Sequence, residues 1–394
     1  MFAITNGEIV GEDGIATGMD LIVEGDAIAD VVPRGRARLR TDQMADARGR
    51  FVMPGFVDVH SDYIERMAAP RPTSLMDLTL SLREAERELA THGITTMFHS
   101  LSLFDHLVFD SNPVRDPENT KRFIDIIAAS HSSRHLIRHR FHARFEIDNL
   151  RRVEEISGYI RDGKVHLISF MDHTPGQGQY RDLEMYRGTV KGYRDISDEE
   201  IDEAIVRLQG RAKLEESTIR TIAELAISNG IAVASHDDDT AEKLAYVRGF
   251  GATISEFPIT LEAAREARRL GMVTVIGAPN VLLGGSHSGN LSATEAVMDG
   301  SADILCSDYY PAAILHAVFR LAEEEGVGLA SATRLATLNP ASAVKMGDEI
   351  GSLTPGKKAD IILVEKIDGG FPAVTTVFVD GRVIMTTDYR QRKP

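Results

Sequence analysis

The 394-residue chain reads as an α/β protein, a (β/α)8 TIM-type barrel with a small β-sandwich domain built from both chain termini. Three observations predict this. Apolar β-type runs alternate with amphipathic helical segments from Phe56 to about Gly347, the pattern of βα units around a parallel sheet. Eight such runs can be counted, which is the number that closes a barrel. Short alternating strands separated by turns occupy both ends of the chain, outside that rhythm.

At the start, β-type runs fall at Phe2–Ile4, Glu8–Val10, Asp20–Val23 and Ala27–Val32, with Asn6-Gly7 as a turn, and predict hairpins. The same signature returns at Ala359–Val364, Val374–Val379 and Arg382–Met385, the last two joined by an Asp380-Gly381 turn. Two such ends around a different middle predict a sandwich of residues 1–53 plus 349–394 and a barrel of residues 54–348.

Barrel strands are expected at 56–60, 95–101, 140–147, 165–172, 231–236, 252–257, 272–277 and 303–307. Helices are expected at 74–92, 119–131, 149–161, 199–229, 240–249, 261–270, 292–299 and 312–325. Ser197-Asp-Glu-Glu200 is a capping box that opens the fourth helical region, and Gly210 is expected to break that region in two. Residues 173–196 and 278–291 read as non-helical, and both follow strands on the face where barrel active sites sit.

Hydrophobic residues make up 43% and charged residues 26%, the balance of a soluble globular protein. A formal charge of −15 repels polyanions, which argues against nucleic acid and anionic membrane surfaces as partners. A small anionic substrate would need local Arg, Lys, backbone N–H groups or metal. Cys306 has no second cysteine to pair with, and the opening Met1-Phe-Ala-Ile-Thr-Asn6 lacks the pattern of a signal peptide, so the cytoplasm is the expected location. No run of about 18 apolar residues suggests a membrane span. Asn290-Leu-Ser292 reads as a chance sequon, and homo-oligomerisation stays open.

The run Val52-Met-Pro-Gly-Phe-Val-Asp-Val-His60-Ser-Asp62 ends in a His-x-Asp pair, and in a strand residues i and i+2 share a face. An imidazole and a carboxylate aimed at one point suit a divalent ion. Read off in order, the C-terminal ends of the expected strands carry His60 and Asp62, Glu146, Asp172 and His173, His236 with Asp237, Glu256, and Asp308. Mixed imidazole and carboxylate donors are what Zn²⁺, Mn²⁺ or a related ion uses, and metal-assisted hydrolysis is the reaction class that follows. At least one of Asp237, Asp238 and Asp239 reads as a helix N-cap. His99, His139 and His142 read as structural or exposed, and His131, His135 and His166 fall at the opposite end. The segment Ala278–Asn290, rich in glycine, hydroxyl and amide groups, reads either as a phosphate cradle or as an ordinary surface loop. Arg66, Arg71 and Arg144 could add positive charge for an anionic substrate.

The enclosing sandwich, Met53-Pro-Gly-Phe-Val-Asp-Val-His60 and the strand-eight Asp308 resemble the amidohydrolase superfamily. Within it, a set of segments is similar to the PhnM family of phosphonate catabolism. These are His60-Ser-Asp62-Tyr-Ile-Glu65-Arg66, Met171-Asp-His-Thr-Pro-Gly-Gln177, Ser235-His-Asp-Asp238, Ser255-Glu-Phe-Pro258, Gly277-Ala-Pro-Asn280, Gly284-Gly-Ser-His-Ser-Gly-Asn290 and Ser307-Asp-Tyr-Tyr-Pro311. The resemblance implies a barrel hydrolase that converts α-D-ribose 1-methylphosphonate 5-triphosphate to the 5-phosphate and diphosphate. It implies one or two divalent ions, zinc foremost, on His60, Asp62, Glu146, His236, Glu256 and Asp308. Asp308 and His236 would be catalytic, with Asp308 orienting and deprotonating the attacking water. Arg66, Asp172, His173, Asp237, Gly284, Gly285, Ser286, His287 and Asn290 would contact the small phosphorylated sugar.

Three departures from the superfamily pattern stand out. Asp62 replaces the second His of the usual HxH, no Lys ends strand four, and Glu256 replaces the strand-six His. Glu146 or Asp172 is then left to bridge two ions, Glu146 being favoured because no other acid ends its strand. Amide or cyclic-amidine hydrolysis is the alternative chemistry, and a non-catalytic scaffold of the same fold is a third reading.

Overall fold

The computed structural model describes residues 1–36, 39–40, 43–103, 112–193, 196–285 and 290–389. Eight parallel strands pair in chain order: Phe56–Ser61, Ile94–Leu103, Arg138–Glu146, Leu167–Met171, Ala232–His236, Ile254–Glu256, Val273–Gly277 and Ile304–Cys306. The first and last strands meet through a parallel bridge between Ser61 and Asp308. There the Asp308 amide donates to the His60 carbonyl at 3.0 Å, and the Asp62 amide donates to the Asp308 carbonyl at 3.1 Å. The expected barrel is present, and its seam runs through three of the expected site residues.

Parallel strands covered on both faces read as continuous apolar runs, and every residue of Ile94–Leu103 is buried. Alternation divides the strand residues between two clusters. Val59, Phe98, Leu167, Ala234, Ile254, Val275 and Cys306 form one. Phe141, Phe145, Ile168, Val233 and Leu305 join Leu82, Leu89, Ile127, Ile222 and Val318 of the surrounding helices in the other.

Helices occupy the eight expected regions, with unforeseen short helices at Tyr63–Ala68, Leu329–Arg334 and Leu338–Ala343 and two corrections in the stretches expected to be non-helical. The Ser197–Glu200 capping box is formed, the helix Asp198–Gln209 ends at Gly210, and a second helix runs from Glu216 to Ser228. The 173–196 stretch, expected to be non-helical, contains the helix Leu183–Tyr193. Its Tyr186 and Val190 pack on Ile201 and Ile205 in a small separate cluster, a tertiary contact that local composition does not announce. The 278–291 stretch contains the helix Ala278–Leu283, with proline in its first turn and Gly284 in the left-handed conformation after its last residue. Six residues are too few for a periodic signal.

Both termini contribute to a six-stranded sheet, in the order Arg382–Thr386, Phe371–Val379, Ile361–Ile367, Phe51–Pro54, Glu8–Val10 and Ile15–Ala16. A four-stranded sheet of Ala27–Pro33, Met19–Glu24, Phe2–Thr5 and Met44–Asp46 shares a core with it, where Ile4, Leu21, Val23 and Ile28 cluster with Val52, Ile361, Leu363 and Phe378. Among the described residues, no helix is long and apolar enough to cross a membrane.

The run from Val52 to Asp62 therefore serves two sheets. Phe51–Pro54 pairs with Ile361–Ile367, and the chain enters the barrel at Phe56. Gly55 makes the passage: its amide donates to the Asp360 carbonyl at 3.0 Å, and a Cβ here would lie 2.3 Å from two side-chain atoms of Thr95. Gly55→Ala is expected to destabilise the fold by about 1–3 kcal/mol through overpacking, with Thr95→Ala restoring part of the loss. Urea unfolding of the single and double variants measures both effects.

Candidate metal centre at the barrel mouth

The strand ends gather three donor atoms into a buried group formed by His60, His236 and Glu256, all within 4.8 Å of one another. His60 Nδ1 lies 3.0 Å from Glu256 Oε1, yet neither atom has a hydrogen-bond partner, and both are shielded from solvent. His236 Nε2 is likewise buried and unpartnered. Each orphaned buried polar atom carries a desolvation cost of about 1–3 kcal/mol. A cation bound by all three would remove it. Two donors bound to one ion at 2.0–2.1 Å in a tetrahedron are separated by about 3.3 Å, so the observed spacing fits such an ion.

The atoms around the group fix it. Ser169 Oγ donates to Glu256 Oε2 at 2.6 Å and also meets His142 Nε2. His142 Nδ1 in turn lies 3.0 Å from Ser100 Oγ and 3.1 Å from the Val59 carbonyl, so His142 is a satisfied buried residue, in line with a structural reading. Burial, the Arg144 charge and the neighbouring His236 hold the His60 pKa well below its ordinary value, which leaves a neutral ring with a lone pair to offer. The Phe257 ring packs against both His60 and His236, with centroids at 4.9 and 5.2 Å. Phe257 does so at φ 53°, and Asp237 and Asp308, each also just past a strand, sit at φ 53° and 57°. Left-handed backbone at a phenylalanine costs on the order of 1–3 kcal/mol, concentrated here beside the candidate site.

A second group, His173, His236 and Asp237, shares the His236 ring. His236 Nδ1 lies 3.0 Å and His173 Nε2 3.6 Å from Asp237 Oδ2. Burial pushes the Asp237 carboxyl up, but the His236 and His173 charges overcome this and hold it at about 2. On its other side His173 Nδ1 bonds Glu146 Oε1. Burial disfavours charge on both partners, but their attraction dominates, lowering Glu146 and raising His173. Glu146 thus reaches the centre through His173 in this structure.

The other expected residues fall as follows. Strand alternation does not carry through to Asp62: the first strand steps three residues, Asp58 to Ser61, while its neighbour steps two, Met97 to His99, and it ends at Ser61. Asp62 precedes the helix Tyr63–Ala68 without capping it through its side chain. Burial and the Asp62 charge push the Asp308 carboxyl up to about 7. Asp172 is held by Lys213 Nζ at 2.6 Å and accepts the Thr174 amide at 3.1 Å. Exposed Arg66 reaches the Tyr309 carbonyl, and Arg71 forms a backbone bridge with Ser74. The Gly284 and Gly285 amides both close on the Asn280 carbonyl as a helix cap, so neither is free to donate to a phosphate. Asn290 is half-buried, whereas Ser286 and His287 lie outside the described residues. None of Asp237, Asp238 and Asp239 is an N-cap: Thr240 caps the following helix, Asp238 accepts from Ser235 and Ser255, and Asp239 accepts the Gly178 amide.

Sequence reasoning missed several groups around this centre. Asp58 is fully buried, accepts the Ser307 amide at 3.1 Å, and is pushed up to about 6 by burial. Glu65 is pushed up to about 7 by burial, against the nearby Arg115, and accepts from Arg115 Nε at 2.8 Å and Asn112 Nδ2 at 3.1 Å. Lys243 Nζ donates to the His236 and Asp237 carbonyls at 2.7 and 2.9 Å, fixing the fifth strand end. Asp58 and Glu65 lay inside the motif segments, but only the closed barrel buries them.

A model of the Amidohydrolase family matches residues 190–384. The α-D-ribose 1-methylphosphonate 5-triphosphate diphosphatase of Escherichia coli K12 is 32% identical over 373 residues, covering 93% of this chain and 95% of the relative. An adenine deaminase of Archaeoglobus fulgidus is 30% identical over 195 residues, 44% of this chain and 33% of that enzyme. Among solved structures, molinate hydrolase superposes with a TM-score of 0.65 at 14% identity, covering 100% of this chain and 98% of that one. N-acetylglucosamine-6-phosphate deacetylase from Pasteurella multocida gives a TM-score of 0.62 at 13% identity, covering 98% and 100%. These two structures speak to the fold. With the barrel and its strand-end cluster, the near full-length likeness to the diphosphatase shows that the chain belongs to the amidohydrolase family and is a hydrolase.

Proposed function

We propose that this hydrolase cleaves a phosphoanhydride of a small phosphorylated sugar, converting α-D-ribose 1-methylphosphonate 5-triphosphate to the 5-phosphate and diphosphate. The likeness to the E. coli diphosphatase over 93% of the chain supports the substrate. The observation that carries the chemistry is the buried, unpartnered trio of His60 Nδ1, His236 Nε2 and Glu256 Oε1.

In this reading His60, His236 and Glu256 hold a divalent ion, zinc foremost, with Asp62, Glu146 and Asp308 as the further carboxylates. A bound ion supplies Lewis acidity and acidifies water. Asp308, at the seam, orients the attacking water and takes its proton. Arg144, whose charge bears on His60, Glu65, Glu146 and Asp308, balances charge gathering on the phosphates, and Arg66 and Asn290 contact them. His173, held between Glu146 and Asp237, positions His236 and faces the substrate with Asp237. Lys213 keeps Asp172 ionised beside them. The stretch likeness to adenine deaminases favours a second reading, hydrolysis of an amide or cyclic amidine.

Phosphorus NMR of the purified enzyme with the triphosphoribosyl phosphonate is expected to show diphosphate, and turnover of adenine or amides in its place would favour the second reading. Chelation should abolish activity and added Zn²⁺ or Mn²⁺ restore it; full activity after complete metal removal would overturn the scheme. Asp308→Asn is expected to lower kcat about 10²–10⁴-fold, the usual worth of general-base catalysis, while full activity would remove its assigned role. Ser169→Ala, which frees Glu256 Oε2, should weaken metal binding about 10–100-fold in a chelator competition titration.

A further inference from the structure

A third cluster lies at the other end of the barrel, about 20 Å along the third strand from Glu146, given seven residues at strand rise. Glu86 of the helix Leu78–Thr91 faces His135, just before the third strand, and His139, the second residue of that strand. Their donor atoms lie within 4.8 Å of one another. We propose that Glu86, His135 and His139 form a separate divalent-cation site, best suited to Zn²⁺, which ties this helix to the start of the third strand and plays no part in hydrolysis.

The geometry supports this from three directions. Glu86 Oε2 lies 3.0 Å from His135 Nδ1 and 3.3 Å from His139 Nε2, close to the roughly 3.3 Å between donors on one tetrahedral ion. The imidazole rings stand nearly perpendicular, 83° apart with centroids at 4.9 Å, so their nitrogens approach one point from different directions. The surrounding contacts are those that orient metal ligands. His99 Nε2 lies 2.8 Å from His139 Nδ1, the Leu136 amide donates to Glu86 Oε2 at 2.7 Å, and Arg83 reaches Glu86 Oε1 at 3.2 Å. Two imidazoles and one carboxylate favour zinc over hard, oxygen-seeking ions, and leave the fourth position to water. His135 stands at the solvent edge, its side chain 10% exposed against 0% for His139, which gives the ion its way in.

The ion takes the place of the ring protons that otherwise face Glu86, so metal binding releases protons to solvent. Elemental analysis of zinc-loaded wild type, His135→Asn and His60→Asn separates this site from the one at the mouth. His135→Asn should lose one equivalent of zinc, melt a few degrees lower in zinc and keep wild-type kcat, because this end of the barrel lies about 20 Å from the mouth. His60→Asn, which removes a donor at the mouth, should retain the equivalent that His135→Asn loses. Equal zinc content in folded wild type and His135→Asn would overturn the proposal. Should His135→Asn fail to fold, cobalt titration of a His60→Asn/His236→Asn double variant, which breaks both donor groups at the mouth, decides: a tetrahedral Co²⁺ spectrum that zinc displaces supports the site, and its absence overturns it.

Discussion

The seam between the first and eighth strands is the constraint on which the rest of the structure depends. Two backbone hydrogen bonds, Asp308 amide to His60 carbonyl and Asp62 amide to Asp308 carbonyl, join the edges of the sheet at its mouth. Without closure, His60 on the first strand would lie four and five strands away from His236 and Glu256 on the fifth and sixth, roughly 20 Å along an open sheet. With it, they share a pocket small enough for one ion to touch all three. The same bonds place Asp62 and Asp308 close enough for one carboxylate to raise the pKa of the other.

Closure also sets the electrostatic problem at the mouth. Asp58, Glu65, Glu146, Glu256 and Asp237 are all buried, and burial opposes ionisation at Asp58, Glu65, Glu146 and Asp237. Part of the cost is offset within the protein, by Arg115 on Glu65, by His173 on Glu146 and by His236 on Asp237. The His60, His236 and Glu256 atoms have no such answer. In a domain stable by roughly 5–15 kcal/mol, several orphaned atoms at about 1–3 kcal/mol each are a large deficit, and a divalent ion bound by all three would remove it in one step.

Much of this was legible in the sequence. Barrel strands declare themselves because two-sided burial demands continuous apolar runs, and an ionisable residue at the end of such a run has few purposes. What failed did so for physical reasons. The alternation argument for Asp62 assumed a regular strand, but a register irregularity precedes it. Gly284 and Gly285 carry the composition of a phosphate loop, yet their amides are spent on ending a six-residue helix. The grouping of His173 with His236 and Asp237 was not foreseen, because it depends on how far strands four and five extend into the mouth, which no local pattern encodes. Ser169 gave no signal at all, since one hydroxyl on an apolar strand is unremarkable until Glu256 is found against it.

Anomalous diffraction at the zinc edge from crystals of zinc-loaded protein tests the central claim most directly. The account predicts a peak at the barrel mouth within about 2.0–2.2 Å of His60, His236 and Glu256 donor atoms. A mouth with no anomalous density, the three side chains instead paired with one another or with ordered water, would contradict it.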